Sequence, residues 1–124
     1  MNVILSLLLI SVPLVGACAA TLPPPTQRLA DAQSSERSAR EVGANDVPAA
    51  QLSLKLANDQ IAQAQKAMAE GDNVRADMLL VRAKADSELA LALAREHGSV
   101  VEHKEAIADS AEQKATNAGL GAVK

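Results

Sequence analysis

The chain has no phenylalanine, tyrosine or tryptophan, a single cysteine and only two histidines among its 124 residues. Without aromatic rings, bases and sugar faces have no platform to stack on. A formal net charge of -3 leaves no basic footprint for a phosphate backbone, so no nucleic-acid partner is expected. A lone cysteine cannot close an internal disulfide. His97 and His103 are six positions apart, about 120° out of helical register, unlike the i,i+4 spacing of a helical metal pair, and they are read as solvent-facing. Asp72, Asp77, Asp86 and Glu88 are spaced as a solvated charged face, and no stretch supplies a calcium loop. There is no phosphate-cradling glycine loop and no Gly-x-Ser-x-Gly elbow. The expectation is a protein that is not an enzyme and has no cofactor and no metal site.

What is present begins with an apolar run from Val3 to Val15, interrupted only by Ser6, Ser11, Pro13 and Gly-free aliphatic neighbours. At about 13 residues it fits the h-region of a signal peptide and is too short for a membrane span. It ends in Val15-Gly16-Ala17-Cys18, just ahead of Pro23-Pro24-Pro25. These four positions resemble a bacterial lipobox. The resemblance implies signal-peptidase recognition at Val15, Gly16 and Ala17, removal of residues 1–17 and lipidation of Cys18. The segment before the run, Met1-Asn2, departs from the pattern in having no Lys or Arg. An uncleaved anchor over Val3 to Ala20, or an ordinary secretory cut leaving Cys18 as a free thiol, are the alternatives.

Anchoring energetics follow from the acyl chains. Each buried methylene contributes about 0.8 kcal/mol, and two or more chains hold stably where one holds reversibly. The lipoprotein resemblance also implies sorting: Ala19, in place of the aspartate of inner-membrane retention, implies the outer membrane, facing the periplasm. Residues 18–25 form a lipidated cysteine and proline-rich tether, expected to run as extended polyproline II. Residues 26–118 are expected to form one alanine-rich helical domain and residues 119–124 a flexible tail.

A first helix is expected from Thr26, as N-cap, to Val42, with Gly43 as its stop. Its apolar face carries Leu29, Ala32, Ala39 and Val42 with Ser35 in the middle, and Glu36–Arg40 and Arg37–Glu41 are i,i+4 pairs. Pro48 suits the first turn of a second helix whose stripe is Ala50, Leu54, Ala57, Ile61, Ala64 and Met68, widened by Leu52 and Leu56. Gly71 ends it and Asp72 or Asn73 caps the next, which makes an antiparallel hairpin. The third helix, Val74 to about His97, has two stripes. One is Val74, Met78, Val81, Ala85, Leu89 and Ala92; the other is Ala76, Leu80, Ala83, Ala90 and Ala94. Two stripes imply two neighbours. Met68 and Met78 are read as core gap-fillers, and Arg82–Asp86 and Lys84–Glu88 as outer-face pairs.

At Gly98 two readings compete. Ser99 and Glu102 have the form of a capping box that opens a fourth helix to about Asn117. Alternatively, one helix continues through the glycine at a cost of about 1 kcal/mol. Either way the arm is expected to be helical and loosely docked. The fold class is therefore all-α: a small antiparallel bundle of three main helices with a central hairpin, plus a fourth helix or an extended C-terminal arm.

From the lipobox, the proline cluster, the polar first helix, the Pro-initiated second helix ending in Ala69-Glu70-Gly71-Asp72 and the alanine-leucine-rich third helix, residues 14 to 96 resemble an uncharacterised family of alanine-rich bacterial envelope lipoproteins, a domain of unknown function. Some of its members carry an OmpA-like domain, which is not found here, so direct cell-wall binding is not implied. The hairpin is also similar to a tetratricopeptide unit, of which only one is visible. Function is expected to be structural or interaction-based and non-catalytic, with the membrane as one partner and an envelope protein or a second copy as another. The alternatives are a cell-wall tether through Lys124, as in Braun-type lipoproteins, and a small-ligand or metal carrier.

Overall fold

The computed structural model describes residues 22–121. Three helices follow one another: α1 (Thr26–Glu41), α2 (Pro48–Ala69) and α3 (Asn73–Gly121). Leu22 to Pro25 has no regular structure. The cap position of α1 is Pro25, with no side-chain cap, and Thr26 is already helical. The reason lies in the proline. Its ψ is 57°, and the Thr26 amide reaches back to the Pro24 carbonyl at 2.8 Å, an inverse γ-turn in place of the extended segment expected there.

Both interhelix junctions close in the same way. Gly43 has φ +91° and Gly71 φ +80°, the left-handed conformation that ends a helix without a Cβ penalty. After α1 the Gly43 amide bonds Arg40 and the Ala44 amide bonds Ala39; after α2 the Gly71 amide bonds Met68 and the Asp72 amide bonds Ala67. Asp72 then serves the next helix too, its Oδ1 accepting the Arg75 amide at 3.1 Å. A Cβ at Gly71 would meet nothing within 4 Å, so only the backbone resists one. Gly71→Ala is expected to destabilise the protein by about 1–2 kcal/mol, read as a lowered urea midpoint at unchanged slope.

The core consists of two clusters stacked along α3. One joins Ala32 of α1 with Ile61, Ala64 and Ala67 of α2 and Ala76, Leu80 and Ala83 of α3. The other joins Ala39 and Ala44 with Val47, Ala50, Leu54, Ala90 and Ala94. The order of residues in them makes α1 parallel to α3 and α2 antiparallel to both. Alanine has little volume, so α1 and α2 both approach closely, and Leu80 is the one large apolar side chain fully buried among the described residues. Ser87 fills the register gap between Ala83 and Ala90, its hydroxyl satisfied by the Ala83 carbonyl at 2.8 Å.

Several faces differ from expectation for one physical reason: packing follows closeness of approach rather than hydrophobicity. On α1, Glu36 is buried and Val42 exposed; the carboxylate tolerates this because Arg40 donates to it. On α2, Leu52 and Leu56 are exposed, Ser53 is buried, and Ala67 rather than Met68 occupies the last core position. On α3, the alanine stripe serves both neighbours, flanked by half-buried Leu79, Leu91 and Leu93. The other stripe has no neighbour: Val74, Met78, Val81 and Leu89 are each about half exposed.

Gly98 does not break α3, which spans 49 residues, about 70 Å at 1.5 Å per residue. Ser99 caps nothing; its hydroxyl bonds back to the Glu96 carbonyl at 2.9 Å and the Arg95 carbonyl at 3.1 Å. The helix also continues through Gly119 to Gly121, where a tail was expected. From Ser99 to Gly119 every residue is exposed, so the arm leaves the bundle. With nothing within 4 Å of a Cβ at Gly98, Gly98→Ala is expected to stabilise the helix there by about 1 kcal/mol. Slower amide hydrogen exchange over residues 95–102, with the bundle unchanged, is the readout.

Candidate functional site

Most charged residues of α3 are structural. Asp77 holds Arg28 of α1 at 2.6 Å, and Asp86 accepts from Gln60 of α2 at 2.7 Å instead of pairing with Arg82. Both are half-buried. Together with Asp72 at its cap they tie helices rather than form a solvated face; only Glu88, with Lys84 at 3.7 Å, keeps to the expected outer surface. His97 and His103 are exposed and separate. No cluster of three or more His, Cys, Asp or Glu side chains able to hold a metal exists among the described residues. Between α1 and α2, which scarcely touch, runs a shallow polar furrow of about 390 Å³ whose lining includes Gln33, Glu36, Asn58 and Gln65. It brings together amides and an ion-paired carboxylate, with no nucleophile and base in contact.

Two features remain that no internal contact accounts for. One is the position of the incoming chain. The Asn73 amide donates to the Leu22 carbonyl at 2.6 Å, which fixes Leu22 beside the first turn of α3. Arg28 and Asp77 hold the start of α1 at the same end. The arm therefore leaves from the opposite end. The other is the outer face of α3. Val74, Met78, Val81, Ala85, Leu89 and Ala92 recur at intervals of four, three, four, four and three, an 11-residue pattern that stays on one side of a nearly straight helix. Continued along the arm, the same spacing meets Val100, Ile107 and Ala111, with Val100 and Ile107 also about half exposed. This face lies about 180° from the buried alanine stripe.

Residues 27–106 match the family described as Domain of unknown function (DUF4398). The chain belongs to that family. The match begins inside α1, takes in the bundle and Gly98, and ends at Ala106 on the arm, so the family's shared unit includes the passage of α3 beyond the core. It extends further along α3 than the resemblance read from sequence. No curated protein and no solved structure matches the chain.

Val15, Gly16, Ala17 and Cys18, and the terminal Lys124, lie outside the described residues. No helix among the described residues is long and apolar enough to cross a membrane. The outer face of α3 was the feature misassigned in the sequence, where its Val, Met and Leu residues were taken for core. The signal that could have found it is the 11-residue spacing, which runs on past Gly98 where a bundle-limited core stripe would stop.

Proposed function

We propose that this protein is a non-catalytic lipoprotein of the outer membrane, facing the periplasm, in which a helical post held through Cys18 presents a long arm for structural or protein-interaction work. The observation that carries the reading is polarity: Leu22, four residues beyond Cys18, is held at the first turn of α3, while the arm departs from the far end. A tether of four residues spans at most about 14 Å, whereas α3 is about 70 Å long. Such a body stands on its anchor and carries the arm away from the lipid. The Val15-Gly16-Ala17-Cys18 sequence supplies the anchor and Ala19 supports outer-membrane sorting.

Support for the non-catalytic part comes from the charged side chains, whose partners are other helices of the same bundle. Membranes separated on a density gradient test the location. The protein is expected in the outer-membrane fraction and resistant to extraction by salt or carbonate; sedimentation with the inner membrane, or release by carbonate, contradicts the reading.

A further inference from the structure

We propose that the outer face of α3 is where a second copy of this chain docks, the two α3 helices lying parallel and in register so that their stripes from Val74 through the arm close on each other. The common direction deepens the anchoring reading and rests on it: two copies held by short tethers to one membrane both present α3 upright with its first turn at the same height. The pairing itself rests on the exposed stripe and its flanking charges.

The block from Val74 to Ala92 is apolar at every stripe position, so a parallel pair in register sets like against like: Met78 on Met78, Leu89 on Leu89. The charges beside the block then decide direction. Asp77 lies on one flank and Arg82, five residues on, lies on the other, which is the spacing at which parallel helices exchange ion pairs. Two Asp77–Arg82 pairs form, one on each side of the seam. An antiparallel pair centred on the same block, near the height of Ala83, brings Asp77 against Glu88 of the other copy and Arg82 against its own equivalent, so like charges meet on both flanks.

The arm gives the second argument. Every residue from Ser99 to Gly119 is exposed, and no ion pair forms along this stretch among the described residues. Glu105 and Asp109 repel at i,i+4. A lone helix of this length is marginal in water. In the pair, Val100, Ile107 and Ala111 extend the seam beyond the bundle. With its flanks, the stripe from Val74 to Ala118 amounts to roughly 20 residues a side, which reaches the standard size of a stable interface.

Same-site disulfide formation on the full-length protein in membranes tests this. Single cysteines are placed by Val81→Cys, Leu89→Cys and Ile107→Cys, each in the natural and the Cys18→Ser background. A parallel pair in register is expected to yield a disulfide-linked homodimer at all three positions. Dimers at Val81→Cys alone would mean antiparallel helices and overturn the proposal, as would no homodimer at any position. Leu89→Glu, at an exposed site and so without effect on helix content, is expected to lower crosslinking at Ile107→Cys by on the order of tenfold; unchanged crosslinking contradicts the interface. Membrane sedimentation of the same samples scores the anchor separately. A natural-background protein that fails to sediment contradicts the anchoring reading, and one that sediments but forms no same-site disulfide contradicts only the pairing.

Discussion

Replacing Cys18 with serine is expected to move nearly all of the protein out of the membrane fraction. The reasoning is energetic. No helix among the described residues can span a bilayer, and the exposed apolar stripe of α3 is a line of isolated aliphatic side chains interspersed with charge. Acyl chains on Cys18 would therefore carry almost the whole membrane affinity. Two chains of ordinary length contribute about 0.8 kcal/mol for each buried methylene, far more than the aliphatic surface could. In Cys18→Ser the leader has no residue to be lipidated, so either uncleaved precursor or a soluble product accumulates. Fractionation with and without carbonate washing, followed by immunoblotting, reads the result. Retention of a processed Cys18→Ser protein on carbonate-washed membranes would mean that something other than lipid holds it.

The second large effect concerns the core. Leu80 is 1% exposed and sits among Ala76, Ala83, Ile61 and Ala64. In a core built from alanine, its side chain fills space that no neighbour can reach if it is removed. Leu80→Ala is accordingly expected to cost about 2–5 kcal/mol. For a domain of this size each kcal/mol lowers the melting temperature by about 4–8 °C, so the melt should fall by about 10 °C or more, followed by the far-ultraviolet helix signal. Leu89→Ala makes the same chemical change on the same helix, nine residues on, at a side chain 49% exposed. It is expected to shift the melt of the monomeric bundle by much less, since surface changes cost about 0.5 kcal/mol or less. Equal shifts for the two would mean that the face assignment of α3 is wrong.

The contrast between these two leucines shows what the sequence could and could not convey. Turns and boundaries were legible because Gly43, Pro48, Gly71 and Asp72 act locally, each through its own backbone chemistry. Which stripe of α3 faces inward was not. By hydrophobicity the Val-Met-Val-Leu stripe is the better core, yet the alanine stripe won, because only small side chains let two helices share one face of a third. The same logic buried Ala67 in place of Met68 and left Leu52 and Leu56 outside. Glu36 was illegible for another reason: its burial depends on Arg40 folding over it, and the i,i+4 spacing is identical for exposed pairs. Gly98 carried a breaking signal and a capping box together, but the helix was already nucleated by the bundle, and continuing it costs only about 1 kcal/mol. The anchor, by contrast, was read wholly from Val15 to Cys18, which lie outside the described residues.

Intact-mass measurement of the protein extracted from outer membranes tests the central claim most directly. The account predicts a polypeptide that begins at Cys18 and carries the added mass of two or three acyl chains on that residue. A polypeptide retaining the residues before Cys18, or one beginning there with no added mass, would contradict it.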